Sequence, residues 1–283
     1  LAALLNLIST SDILLENFRA GHLKKFGLDY ASLKKINPRL IYVSITGFGQ
    51  TGPAKEKPGY DLLIQAMSGL MSLTGPDQHT PTKVGMAVSD ITTGLYAVIA
   101  MLAAVIERAR SGKGQHCDIS LYESQISWLC HRVMNYLVTK KPEVCVGNDH
   151  PTIVPYGVFR AKDKSFVLAV GNDKQFKHFC EALKVGWHLD KKFSTNPRRV
   201  KNRIDLKARI EKHFKNKLAR QWIKIIEHAG VPAGPINTFK DLARDPQLRA
   251  RKFFSKDRGT GLPIIKSPLR FSRTPPKKYK VNL

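Results

Sequence analysis

The sequence has no apolar run approaching the roughly 20 residues that a membrane-spanning helix needs. Its longest, residues 94–106, stops at Glu107-Arg108 and reads as a buried core helix, so no membrane partner is expected. Cysteine is scarce. Cys117, Cys130, Cys145 and Cys180 form no C-x-x-C pair and share no zinc-type spacing with histidine. That argues against a disulfide scaffold and a metal site, and for free thiols in a reducing compartment. Neither G-x-x-x-x-G-K-[ST] nor a G-x-G-x-x-G after a strand occurs, which disfavours a P-loop and a nicotinamide site. No Ser/His/Asp or Cys/His constellation can be argued from spacing. Residues 1–7 are apolar but lack a basic flank and a small-residue cleavage site, so they do not read as a signal peptide. With no initiator Met, the chain is expected to open inside a domain, in a helix that runs into a strand.

Acidic residues are also in short supply. There are 22 against 47 basic ones, a formal net charge of +25. Such a surplus suits anionic partners: nucleic acid, anionic lipid or phosphorylated small molecules. The basic residues are scattered, with a concentration over residues 191–224 and a tail at residues 277–280. A nucleic-acid-binding protein would show clustered arginine interleaved with aromatics, or a known module, and neither is present.

What is there reads as alternating strands and helices. Residues 12–16 and the β-branched run 40–46 predict strands, the second ended by Gly47. Short helices are expected over residues 21–26 and 30–36. Residues 47–59 form a loop with repeated Gly and Pro. Helices follow at residues 60–73 and 92–110, then a strand at 115–121 and a helix at 122–137. Strands separated by helices predict a parallel α/β sheet. The pattern changes near Pro142. Residues 156–161 and 166–170 read as an antiparallel pair turning at Lys162-Asp163-Lys164, followed by helices at 174–183, 198–214 and 219–229, an extended stretch at 230–237 and a short helix at 239–244. The expected division is a large α/β domain over residues 1–141, a small α+β domain over 142–249, and a segment from 250 to 283 returning to the large domain.

Few residues stand out as chemistry-bearing. Asp90 lies in Val88-Ser89-Asp90-Ile91-Thr92-Thr93-Gly94, just before the long apolar stretch. The plain reading is a helix N-cap. The chemical reading uses the same physics: a carboxylate kept ionised at a helix N-terminus can act as a covalent nucleophile, with nearby N–H groups to receive developing charge. Asn17-Phe18-Arg19-Ala20-Gly21 is a strand-to-helix turn that could offer N–H groups to phosphate. The glycines of residues 47–53 permit close approach of backbone to a ligand. His150, in Asn148-Asp149-His150-Pro151, is a loop histidine, which is more often a surface hydrogen-bonder than a catalyst. Glu123 and His131 read as structural or solvated.

Taken together, these segments resemble the CaiB/BaiF (class III) family of coenzyme A transferases. Glu16-Asn17-Phe18-Arg19-Ala20-Gly21 is similar to its E-N-F-R-P-G element, with Ala20 in place of proline. Pro38-Arg39-Leu40-Ile41-Tyr42-Val43-Ser44-Ile45-Thr46-Gly47-Phe48-Gly49-Gln50-Thr51-Gly52-Pro53 resembles its most recognisable signature. Gly59-Tyr60-Asp61, Ser68-Gly69-Leu70-Met71, Asp90-Ile91-Thr92-Thr93-Gly94, Gly112-Lys113-Gly114-Gln115, His150-Pro151-Thr152-Ile153-Val154-Pro155-Tyr156 and Gly230-Val231-Pro232-Ala233-Gly234-Pro235-Ile236 follow in family order. Several unrelated segments in one order are more specific than any one of them.

The resemblance implies a Rossmann-like large domain, a smaller α+β domain and an intertwined homodimer. It implies that Asp90 is the nucleophile. Asn17, Phe18, Arg19, Lys25, Phe26 and Tyr60 would lie along coenzyme A, and Asp61, Gly147 and His150 by the acid substrate. No resident cofactor and no metal is implied; coenzyme A and acyl-CoA are substrates. Within the family, the branch resembled is the one that moves coenzyme A from succinyl-CoA to short dicarboxylates such as glutarate. An acyl-CoA racemase is the near alternative, disfavoured because Tyr60 stands where racemases commonly carry a histidine. A truncated, non-catalytic paralogue is a further one. The family's opening strand and usual ending would lie outside residues 1–283. The implied location is the mitochondrial matrix in a eukaryote and the cytoplasm otherwise.

Overall fold

In the computed structural model, residues 1–276 are described, and the basic tail at residues 277–280 lies outside them. The chain divides into two compact units, Leu1–Asn148 and Asp149–Leu283. The division expected near residue 142 thus falls several residues later. The closing segment from residue 250, expected to return to the first unit, is grouped with the second instead.

The first unit holds α1 (Ala2–Thr10), β1 (Ile13–Glu16), a 3-10 turn (Leu23–Phe26), α2 (Tyr30–Ile36), β2 (Ile41–Thr46), α3 (Asp61–Met67), α4 (Leu70–Leu73), α5 (Val88–Ser111), β3 (His116–Ser120), α6 (Leu121–Trp128) and α7 (Cys130–Thr139). The strands form one parallel sheet in the order β1-β2-β3, with Leu15 opposite Val43 and Val43 opposite Cys117. Central β2 is covered on both faces, as its unbroken apolar sequence demands. Leu40 and Tyr42 join Ile8, Leu28 and Leu33 on one side, while Ile41 and Val43 meet Ala97 and Ala104 of α5 on the other. The alternation is the two-residue period of a strand.

Helix α5 carries the geometry that matters. At its C-terminal end Arg108 donates to the carbonyls of Asp12 and Arg39 and pairs with the Asp12 carboxylate at 2.8 Å. Both residues precede their strands, so this end of α5 lies at the amino edge of the sheet. The N-terminal end, with Asp90, therefore faces the carboxyl edge, where open parallel sheets bind ligands.

The reading of residues 94–106 as a buried core helix needs correction. Thr92, Thr93, Ala97 and Ala104 are buried, the two alanines against the sheet, but Leu95, Ile99, Leu102 and Ile106 are each more than half exposed. Among the described residues α5 is the one helix long and apolar enough to span a bilayer by length and composition. Its inner face instead packs on β2 and β3.

The second unit holds β4 (Tyr156–Arg160), β5 (Ser165–Ala169), α8 (Asp173–Ala182), a 3-10 turn (Trp187–Leu189), α9 (Asn196–Lys201), α10 (Arg203–Phe214), α11 (Ala219–His228), β6 (Ala233–Pro235), α12 (Phe239–Leu242), α13 (Pro246–Ala250), β7 (Phe254–Lys256) and β8 (Pro263–Ile265). An antiparallel sheet β4-β5-β6 packs its buried positions Phe159, Phe166 and Leu168 against α8, α10 and α11. Phe214 sits at the centre, with the rings of Phe159, Phe166, Phe179 and Trp222 between 5.0 and 6.3 Å away. The turn residue Asp163 accepts from Ala219 N at 2.7 Å and so caps α11 from outside the helix.

Candidate active site

Asp90 is the third residue of α5, not its N-cap. The helix begins at Val88, one turn before the apolar run, and the cap position is Ala87, which offers no side-chain oxygen. The missing cap comes from another helix. Asp61, at the start of α3, accepts Ser89 N through Oδ1 at 2.9 Å. Its Oδ2 accepts Gln65 Nε2 at 2.8 Å. Gln65 is fully buried and holds the approach to α5 on both sides: Oε1 accepts Val84 N at 2.8 Å and Nε2 also donates to Met86 O at 3.3 Å. Ser89 Oγ donates to Gln125 Oε1 of α6 at 3.0 Å, and the Ser89 carbonyl accepts the Thr93 hydroxyl at 2.7 Å. The peptide ahead of Asp90 is thus fixed from α3, α5 and α6.

With those bonds in place the Asp90 carboxylate itself is left exposed, with no hydrogen-bond partner among the described residues. Partial desolvation, and then the neighbouring Asp61 carboxylate, raise its pKa above the usual carboxylate range. Both desolvation and the like charge of Asp61 oppose the pull of the helix terminus toward the ionised form. A carboxylate so placed is a better nucleophile once ionised and a readier proton carrier below that point.

Two glycines bring Asp61 to this position. A Cβ on Gly59 would lie 2.2 Å from Gly47 Cα, and one on Gly47 would lie 2.5 Å from Gly59 Cα. Only glycine at both sites lets the end of β2 touch the start of α3. The loop between them is a poor source of free donors. Gly49 N donates to Thr46 Oγ1 and Gln50 N to Asp118 Oδ2, each at 2.9 Å. These two N–H groups are spent on holding the loop.

The other residues singled out from the sequence lie on several elements. Asn17, Phe18 and Arg19 form an exposed turn after β1, at the same carboxyl edge, where Glu16 Oε2 accepts Phe18 N at 2.8 Å. Lys25 and Phe26 lie on the following 3-10 turn, and the rings of Phe18, His22 and Phe26 stand in a row 5.7 and 5.6 Å apart. Tyr60, at the α3 cap position, is 77% exposed. Asp61, expected by the acid substrate, has both oxygens engaged in holding Ser89 and Gln65. Gly147 belongs to the first unit, with φ +62°, where a Cβ would meet Pro76 O at 3.1 Å. His150 belongs to the second unit.

Sequence reasoning missed Gln65, Ser89, Gln125 and His22. Gln65 carried a signal, four residues after Asp61 on a helix face. Gln125 carried only its polarity in an apolar stretch. Among the described residues no cluster of His, Cys, Asp and Glu suits a metal ion.

The sequence matches CoA-transferase family III over residues 1–282. It is 43% identical over 273 residues to a succinate–glutarate CoA-transferase of Agrobacterium fabrum, covering 95% of this chain and 68% of that protein. It is 40% identical over 243 residues to the human succinyl-CoA:glutarate CoA-transferase, covering 86% of this chain but 56% of that protein. The fold superposes on a CaiB/BaiF family protein from Brucella suis with a TM-score of 0.85 and 45% identity, over 97% of this chain and 72% of the other. The parallel sheet, the carboxylate at its carboxyl edge and these matches agree, and the chain belongs to CoA-transferase family III, the CaiB/BaiF family.

Proposed function

We propose that this protein transfers coenzyme A from an acyl-CoA donor, succinyl-CoA foremost, to a short dicarboxylic acid such as glutarate, with Asp90 as the nucleophile. The observation that carries this reading is the exposed, unpartnered Asp90 carboxylate, fixed through Ser89 at the carboxyl edge of the sheet. The names of the Agrobacterium and human relatives support the choice of substrates.

The chemistry follows from the group. Ionised Asp90 attacks the donor thioester carbonyl; the C–S bond breaks, giving a mixed anhydride and coenzyme A thiolate. The thiolate attacks the Asp90 carbonyl of the anhydride and releases the donor acid, leaving an aspartyl-CoA thioester. The acceptor carboxylate attacks that thioester, expelling thiolate and forming a second anhydride. Attack of the thiolate on the acceptor carbonyl frees Asp90 and yields the new acyl-CoA. Each step trades one acyl bond for another, so no redox partner is required. Phe18, His22 and Phe26 offer a stacking surface, and Arg19 and Lys25 offer cations, for the coenzyme.

A homodimer belongs to the same reading. The exposed stripe Leu95, Ile99, Leu102 and Ile106 on α5 is an apolar face of the kind that subunits bury. Sedimentation should give a dimer that persists on dilution, and a stable, active monomer would contradict this. For the reaction, purified protein given succinyl-CoA and glutarate should yield glutaryl-CoA and succinate by mass spectrometry. A panel of acids then ranks the acceptors, and release of free coenzyme A without transfer would overturn the reading.

A further inference from the structure

The Asp90 carboxylate has no partner of its own among the described residues, so the direction it points is inherited from the backbone at Ser89 and Asp90. Ser89 is fully buried and held at three points. Its N–H is taken by Asp61 of α3, its carbonyl by the Thr93 hydroxyl of α5, and its own hydroxyl donates to Gln125 Oε1 of α6 at 3.0 Å.

Two of these holds share one origin. Helix α3 starts where Gly59 meets Gly47, and α6 starts where Tyr122 N donates to Gly47 O at 3.0 Å. The Ser120 hydroxyl closes that start, accepting Glu123 N at 3.1 Å and donating to Glu123 Oε2 at 2.6 Å. Asp61 follows closely on Gly59, and Gln125 lies one turn into α6. Both jaws on Ser89 therefore hang from the carboxyl end of β2 at Gly47.

Gln125 differs from Gln65 in what it leaves unused. Both are fully buried. Gln65 engages both poles of its amide, whereas Gln125 Nε2 has no hydrogen-bond partner among the described residues. The other buried side-chain atom in that condition, His188 Nδ1, lies in the second unit. A stranded buried donor is destabilising, and an unbranched apolar side chain would fill the same volume without one. What an apolar residue cannot supply is an acceptor for the Ser89 hydroxyl.

We propose that Gln125 is a positioning residue for the nucleophile: by accepting the Ser89 hydroxyl, its carboxamide fixes the direction in which α5 presents the Asp90 carboxylate. The identity of Asp90 as nucleophile rests on the function proposed above; the hold on Ser89 does not. Misdirecting a reacting group costs rate rather than substrate affinity, so the loss should fall on kcat.

Gln125→Met keeps the volume and removes both amide poles. With succinyl-CoA and glutarate it should lower kcat about 10-fold and leave both KM values within about 2-fold. Its urea midpoint should stay at or above that of the wild type, because the stranded donor goes with the lost bond. A kcat within about 2-fold of wild type, or a lower midpoint, overturns the proposal. Ser89→Ala should lower kcat to the same extent, and the double variant should fall no further. Losses that multiply to about 100-fold also overturn it, since Gln125 would then act by a route other than Ser89. Amide hydrogen exchange gives a readout without turnover. In Gln125→Met, exchange over residues 89–91 should quicken about 10-fold, while residues 104–108 at the other end of α5 keep the wild-type rate. Unchanged exchange at residues 89–91 overturns the proposal even if kcat falls. If no acyl-CoA modifies Asp90 in the wild type, the nucleophile reading fails, and the exchange measurement still decides the hold on Ser89.

Discussion

At the scale of single residues, the account turns on how Asp90 and Asp61 share the start of α5. The pKa of Asp90 is raised, first by desolvation and then by Asp61. Because the nucleophile must be ionised, transferase activity should rise with pH through that elevated value, with its acid limb above the ordinary carboxylate range. Asp61→Asn removes the like charge while Oδ1 can still accept Ser89 N, so the limb should move to lower pH. A limb that stays put in Asp61→Asn would remove Asp61 from the electrostatics. Stability runs the other way. A carboxylate with a raised folded-state pKa favours the folded protein below its unfolded pKa, and that contribution is lost as pH rises through the folded value. Asp90→Asn should therefore melt higher than wild type near neutrality and lose that advantage in acid, while turnover disappears. Asp90 was legible in the sequence because its neighbours form an ordered motif. Its supports were less so: Gln65 carried only its four-residue spacing from Asp61, and Gln125 is a lone amide in an apolar helix, which looks like a solvated position.

At the scale of elements, glycine placement decides what can touch. Gly59→Ala puts a Cβ into the backbone of Gly47. Backbone there cannot yield as a flexible side chain would, so the cost should be about 1–3 kcal/mol, read as a lower urea midpoint. Activity should fall further than stability, since the displaced element carries Asp61. Gln65→Leu should cost a similar amount by stranding the partly buried groups on Val84 and Asp61 that it now satisfies, roughly 1–3 kcal/mol. Unchanged unfolding in both variants would show that this contact and this network are not what hold α3 to α5. The strands and helix types were readable from β-branched runs and apolar periodicity. Helix interruptions were less so. The stretch 60–73 breaks at Gly69, with φ +89°, into α3 and α4; 122–137 breaks at Leu129 into α6 and α7; 198–214 breaks at Asn202 into α9 and α10. Leu129 gives no local warning, whereas Gly69 and Asn202 are residues that end helices and could have been read so. Helix α13 was also missed, although Asp245-Pro246 is a cap followed by proline at the first helical position.

At the scale of the whole molecule, the charge is unevenly shared. The second unit holds roughly two-thirds of the basic residues but only half of the acidic ones. Coenzyme A and dicarboxylic acids are anionic, so capture should be aided by this field. The expected outcome is a kcat/KM for acyl-CoA that falls as salt rises, since surface fields are screened within roughly 8 Å at physiological ionic strength. A flat salt response would assign the surplus to solubility alone. The boundary between the units was legible as a change of pattern, from parallel α/β to an antiparallel sheet, but its position was not. Residues 142–148 carry no strand or helix of their own, and only the packing of the folded chain assigns them to the first unit.

The most direct test of the central claim is chemical trapping at Asp90. Wild-type protein incubated with succinyl-CoA and hydroxylamine, then digested and read by mass spectrometry, should carry a hydroxamate on Asp90, because hydroxylamine intercepts the aspartyl-CoA thioester. Asp90→Ala should carry none anywhere and should not turn over. Modification at another residue, or turnover that survives in Asp90→Ala, would contradict the account.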